Sequence, residues 1–287
     1  MNHRKVDQVS VLAVLLFLLA ALLIRSRVES LLVQGGMSPG IAADLSYLVV
    51  PVCLAALLWP LLRHRAQLLE RLFRCESVNF RTIAYAVIIG ALLRLVYWAQ
   101  LVVGVSIGAY SDVDAPILLR PVFYFACPDL SVLLLGFFVM SLVVPLVEEF
   151  VHRGLIQSSL DRRGPLVAIG VSSLLFAAFH RPATWGYVLF AGLVFGSLFW
   201  KTRSIWLPVI AHATTNGAAQ IDWRCLRGRW NPPIEALPLW PITASALLVL
   251  ALSIGGLVFI LCKKMPGGKV SPRHSADHRA RATRSIT

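Results

Sequence analysis

Apolar runs long enough to cross a lipid bilayer recur along this 287-residue chain, and they constrain its fold more than any other feature. A membrane-spanning helix needs about 20 largely apolar residues. On that criterion the sequence predicts eight spans, at residues 8–24, 43–62, 82–107, 131–155, 165–181, 185–200, 204–220 and 240–262. The expected fold is all-α: a polytopic integral membrane helix bundle of about eight transmembrane helices. Composition agrees, with 57% hydrophobic and 14% charged residues. A soluble domain sits near about 45–50% and 25%.

The first run, Val9 to Ile24, is followed by Arg25-Ser-Arg27 rather than by a small-residue cleavage site. It reads as the first membrane helix and not as a signal peptide. Residues 1–129 then hold about three spans, and 130–220 form a central core. Residues 221–262 supply a loop and the last membrane helix, and 263–287 form a basic tail. The tail is poor in bulky apolar residues and reads as a disordered topology anchor. No internal repeat is evident, and no loop is long enough to house a soluble domain.

The net charge of +13 is no nucleic-acid signal, because the basic residues cluster at the ends of apolar runs. Clusters of this kind mark cytoplasmic loops. Arg63, Arg65, Arg71, Arg74 and Arg81 follow the second span, and Arg162 and Arg163 follow the fourth. Lys201 and Arg203 follow the sixth, and the tail follows the eighth. With eight spans all four regions fall on one side, which puts both termini in the cytoplasm. Arg224, Arg227 and Arg229 are discordant, since they fall on the other side. The five cysteines show no metal-binding spacing. Cys127 and Cys225 fall on the same extracytoplasmic side, and two free thiols are favoured over a bridge.

Ionisable groups at bilayer depth are costly, so they face an interior cavity and mark function by default. The fourth run carries Glu148-Glu149-Phe150-Val151-His152-Arg153. Glu149 and Arg153, at i and i+4, share a helix face and can pair. Glu148 lies about 100° around the helix and is left free to hold a proton or a water, as a general base requires. An ion pair that only locks helices together is the plainer reading of one Glu–Arg pair. Two glutamates with distant histidines favour chemistry instead.

The fifth run ends Phe176-Ala-Ala-Phe179-His180, and the seventh carries His212-Ala-Thr-Thr-Asn216. A histidine near a helix end is more often a local hydrogen-bonding group than a base. His212 and Asn216 share a face and could both donate to a developing oxyanion; as polar glue between helices they would look the same. Pro208 is expected to loosen its helix. Arg94 in the third span either pairs with Glu149 or snorkels to an interface. Asp112 and Asp114 read as solvated loop residues. Gly186, Gly192 and Gly196 read as sites of close helix packing.

Three motifs thus stand in order on three helices: Glu148-Glu149-x-x-x-Arg153, Phe176-x-x-x-His180 and His212-x-x-x-Asn216. Together, with Gly154 after the arginine and Ser204-Ile-Trp-Leu-Pro208 before His212, they resemble the CPBP family of intramembrane proteases, the type II CAAX prenyl endopeptidases and their bacterial relatives. The resemblance covers residues 130–220. It implies that Glu148 and His180 activate a water, that His212 and Asn216 stabilise the oxyanion, and that Glu149 and Arg153 support them. It implies a membrane-associated peptide or protein substrate, cut in CAAX-type or C-terminal-tail processing, and a bacterial plasma-membrane location. The family has been described both as glutamic peptidases and as metalloproteases. A metal-free glutamate–histidine pair and a divalent ion such as zinc, held by Glu148, His180 and His212 with Glu149 as a further candidate, both stay open, and the first is favoured because no H-E-x-x-H spacing is present. The rival readings are a non-catalytic membrane scaffold of the same fold and a proton-coupled transporter relaying through Glu148, Glu149, His180 and Arg94.

Overall fold

The computed structural model describes residues 9–106, 130–220 and 239–263. All regular structure among them is helical. We number the helices α1 (Val11–Gln34), α2 (Pro39–Tyr47), α3 (Val49–Leu62), α4 (Ala66–Leu72), α5 (Phe80–Ser106), α6 (Leu130–Gln157), α7 (Pro165–Ala178), α8 (Trp185–Thr202), α9 (Trp206–Gln220) and α10 (Leu239–Cys262). Cys127, Cys225, Asp112, Asp114, the arginines at 224, 227 and 229 and the tail beyond Lys263 lie outside the described residues.

Local chemistry starts these helices where the sequence changes character. Ser10 Oγ accepts from the Ala13 amide at the head of α1. Ahead of α5, Asn79 and Thr82 bond reciprocally: the Asn79 amide donates to Thr82 Oγ1, and the Thr82 amide to Asn79 Oδ1. Such a reciprocal pair satisfies donors that have no partner within the helix. Pro39 and Pro165 stand at the first positions of α2 and α7, where a missing N–H costs nothing.

Among the described residues six stretches are long and apolar enough to cross a membrane: Val11–Gln34, Pro39–Leu62, Phe80–Gly104, Leu130–Gln157, Pro182–Thr202 and Pro241–Cys262. The chain is a multi-pass helical membrane protein. The expected fifth span is shorter, with 14 residues in α7, and α9 is described as far as Gln220. At 1.5 Å per residue α7 reaches about 21 Å, short of a hydrocarbon core of about 30 Å. α7 turns through Pro182–Thr184 into α8.

Two further expectations change. Pro208 falls in the first turn of α9, where proline is tolerated, so it does not loosen the helix. A fourth helix continuing to Asp161-Arg-Arg163 would put Glu148 roughly at its middle; α6 instead ends at Gln157, before the short turn Asp161–Arg163, and Glu148 lies toward its C-terminal part.

α6 is not a uniform α-helix. Val139–Val143 and Phe150–Gln157 are π-helical and flank the α-helical Val144–Glu149. Such wide turns concentrate at functional sites. Pro145 gives a local cause for the first one, since a proline inside an α-helix clashes with the carbonyl four residues back and lacks its own donor.

α5 packs along both α9 and α10, α7 lies along α8, and α1 lies along α2 and α3. The closest approach is at Gly90 of α5. A Cβ there would fall 2.3 Å from the Ala211 carbonyl oxygen and 2.6 Å from Thr214 Cβ. Thr215 Oγ1 donates to the Gly90 carbonyl at 3.0 Å. Gly192 and Gly196 of α8 also serve close packing, against Ser173 and against Gln157 and Ile169. Gly186 does not, with Gln100 Nε2 at 3.9 Å as its nearest neighbour.

The basic segments meet at one end of the bundle. Arg203 pairs with Asp161 at 2.5 Å, joining the α6–α7 and α8–α9 turns. Ser204 Oγ donates to the Arg74 carbonyl and Trp206 Nε1 to the Phe73 carbonyl. Lys201 Nζ donates to the Leu261 carbonyl at the end of α10.

Candidate active site

Glu149 is the centre of a fully buried cluster. Arg153, one turn on, donates through Nε to Glu149 Oε2 at 2.9 Å, and neither side chain is exposed to solvent. His212 of α9 donates through Nδ1 to Glu149 Oε1 at 3.0 Å. The expected Glu149–Arg153 pair is therefore present, and an imidazole from a second helix completes it. Arg153 Nη1 donates to Ser172 Oγ of α7 at 3.1 Å, and Ser172 Oγ donates to the His152 carbonyl at 2.8 Å. Arg94, the other candidate partner for Glu149, has its guanidinium 5.2 Å from the Tyr97 ring centre.

Glu148 differs from its neighbour. A quarter of its side chain is exposed, and its Oε2 lies 3.8 Å from His212 Nε2. That is beyond hydrogen-bond length. The two ring nitrogens of His212 thus face two different carboxylates. Phe195 stacks on the ring at 4.9 Å between centroids, and Phe176 meets it edge-on at 5.9 Å.

His180 sits just past the C-terminus of α7. Its Nδ1 is 2.8 Å from the Phe176 carbonyl. A carbonyl only accepts, so Nδ1 carries the proton and the neutral ring keeps Nε2 as an acceptor. Trp185 Nε1 donates to the His180 carbonyl at 2.9 Å, closing the turn into α8. His180 is thus a local hydrogen-bonding group at one nitrogen, and that same bond leaves the other free to act as a base.

Glu148 and His180 line one cavity of about 560 Å³. Its walls come from α1, α2, α3, α6 and the α7–α8 turn, and include Arg25, Tyr47, His152 and Arg181. The first two helices, in which the motif search found nothing, therefore contribute to the site. Arg25 is held there by the Tyr47 ring at 3.6 Å, by Ser46 and by Glu29. A signal for His152 was present in its i+4 spacing from Glu148. None existed for Arg25 or Tyr47, which meet the cavity only through tertiary packing.

Asn216 of α9 donates through Nδ2 to the Met140 carbonyl at 2.9 Å. The reason lies in α6. In the π-helical turn the Val144 amide bonds to Val139. The next bond in that register would join Met140 to residue 145, which is proline and has no N–H. Asn216 supplies the missing donor. Its amide has a second N–H, and the first one fixes its orientation.

Zinc was one reading of these residue types. Among the described residues no group of three or more His, Cys, Asp or Glu side chains is arranged to hold a metal ion. Both oxygens of Glu149 are engaged by Arg153 and His212, and His180 Nδ1 by Phe176. His180 Nε2, His212 Nε2 and the Glu148 carboxylate keep free donor atoms.

A bundle of apolar helices enclosing carboxylate, imidazole and guanidinium groups beside a cavity defines a class: an intramembrane site equipped for acid–base chemistry. Residues 130–218 match the family model for type II CAAX prenyl endopeptidase Rce1-like proteins, and this segment belongs to the CPBP/CAAX protease family. Membership implies a protease of intramembrane CAAX endopeptidase type, acting on a membrane-associated peptide. No curated protein and no solved structure matches the chain.

Proposed function

We propose that this protein hydrolyses a peptide bond of a membrane-associated substrate at the cavity shared by Glu148 and His180, without a metal ion. The observation that carries the reading is this shared cavity next to the Glu149–His212 pair. Glu148 is the carboxylate of the cluster with no buried ion pair, and His180 retains an acceptor nitrogen. Together they take the proton of a water that attacks the scissile carbonyl. Positioned proton transfer of this kind contributes about 10²–10⁴-fold in rate.

The attacked carbonyl becomes an oxyanion. His212, with Nδ1–H held by Glu149, presents Nε2 toward the Glu148 side; protonated there, it donates to the oxyanion. Asn216, held by Met140, offers its second N–H. Donors that do not reorganise during reaction are the effective ones, and Glu149 and Met140 serve as their anchors. The proton taken from water then passes to the leaving amine. The substrate is a CAAX-type or C-terminal tail, and the basic end of the bundle faces the cytoplasm of a bacterial plasma membrane.

The test compares protein termini in membranes from cells expressing wild type or Glu148→Gln at matched levels. New termini seen only with the wild type are expected and would name the substrates. Identical termini, with any growth phenotype still rescued by Glu148→Gln, would replace this reading with a non-catalytic scaffold.

A further inference from the structure

His152 is a buried polar side chain that the hydrolytic scheme leaves unused. It is 2% exposed and lines the cavity that also contains Glu148 and His180. Its Nδ1 is buried and has no hydrogen-bond partner. Leaving such a group unmade costs about 1–3 kcal/mol, and unpartnered buried groups in native proteins call for an explanation.

The ring is held in place by contacts that do not satisfy this nitrogen. Phe176 meets it edge-on at 5.1 Å and Phe179 at 6.1 Å. The His152 carbonyl is tied to Ser172 Oγ, which is tied in turn to Arg153. The same Phe176 ring touches His180 and His212 at 4.7 Å and 5.9 Å. His152 is therefore packed against the ring that also carries the two histidines of the hydrolytic site.

We propose that His152 is a substrate-contacting residue, whose Nδ1 hydrogen-bonds to a main-chain amide group of the peptide lying in the cavity, next to the scissile bond. The inference rests on the peptidase reading. A peptide strand carries an N–H and a C=O at nearly every residue. One entering the cavity would supply the partner that the fold withholds. The bond is made to substrate and transition state alike, so its loss raises KM and leaves kcat nearly unchanged.

The test uses His152→Phe, which keeps an aromatic ring of similar shape, and His152→Asn, whose amide group sits where Nδ1 is. The termini comparison is run first, with wild type, Glu148→Gln and both variants. A synthetic peptide spanning the most abundant wild-type-dependent cleavage site is then assayed in detergent. We expect His152→Phe to raise KM about tenfold, the loss of one hydrogen bond, with kcat within about twofold. His152→Asn should recover most of that loss. His152→Phe should melt no lower than wild type, since it removes an unsatisfied group. An unchanged KM in His152→Phe, while Glu148→Gln abolishes cleavage, would overturn this inference and leave the peptidase reading standing. Identical termini with Glu148→Gln and wild type would overturn both. A KM raised equally in the Phe and Asn variants would assign His152 to packing alone.

Discussion

Glu149 and His212 are hydrogen-bonded at 3.0 Å across two helices, and the carboxylate's other oxygen is held by Arg153 at 2.9 Å. One buried carboxylate therefore orients an imidazole and neutralises a guanidinium. Removing one partner of a buried pair leaves the other uncompensated, which costs about 3–5 kcal/mol, whereas replacing both with apolar groups is often neutral. Glu149→Leu and Arg153→Met should each destabilise strongly in thermal unfolding in detergent. The double variant should regain most of the loss and still be inactive, because His212 has lost its anchor.

The Asn216–Met140 bond allows a separation of stability from activity. Asn216→Ala leaves the Met140 carbonyl with neither a backbone nor a side-chain donor, and should cost about 1–3 kcal/mol. Cleavage should fall by about 10²–10³, the effect of losing one oxyanion donor. Pro145→Ala returns an N–H to the π-helical turn. Combined with Asn216→Ala it should restore the melting temperature but not cleavage. Recovery of both would mean that Asn216 only joins helices.

Gly90 tests the site from a distance. An alanine there would sit 2.3 Å from the Ala211 carbonyl oxygen, which is backbone and cannot swing away. α5 and α9 must then separate, at about 1–3 kcal/mol. His212 follows Ala211 directly, so cleavage by Gly90→Ala should fall although no group at the site has changed. Gly170→Ala, whose added Cβ would meet nothing within 4 Å, is the control.

The metal-free reading makes its own prediction. Dialysis against a strong zinc chelator should leave cleavage and the melting temperature unchanged. Loss of cleavage with the fold retained, reversed by added zinc, would overturn it.

Orientation is testable at the basic end of the bundle. A cysteine introduced at Arg163, in a background lacking Cys53, Cys75, Cys127, Cys225 and Cys262, should be protected from a membrane-impermeant thiol reagent added to intact cells and should react after lysis. Reaction in intact cells would invert the topology.

The sequence by itself determined the membrane class, the long apolar runs and the identity of the clustered side chains. Apolar runs need no tertiary context to be read, because the bilayer acts on each helix separately. The i, i+4 spacing of Glu149 and Arg153 likewise specified a contact within one helix, and that contact is present. Contacts between helices were decided only by the tertiary structure. Spacing along a helix cannot tell which carboxylate a histidine 63 residues away will meet, and His212 bonds to Glu149 rather than Glu148. Nor could it show that Pro145 leaves a carbonyl for Asn216, since that depends on the π-helical register of α6 and on the place where α9 crosses it. Arg25 and Tyr47 entered the cavity for the same reason: α1 and α2 carry no motif, and only packing against α6 brings them there. Side chains from distant segments converge through the sum of many packing contacts, and no local pattern encodes that sum.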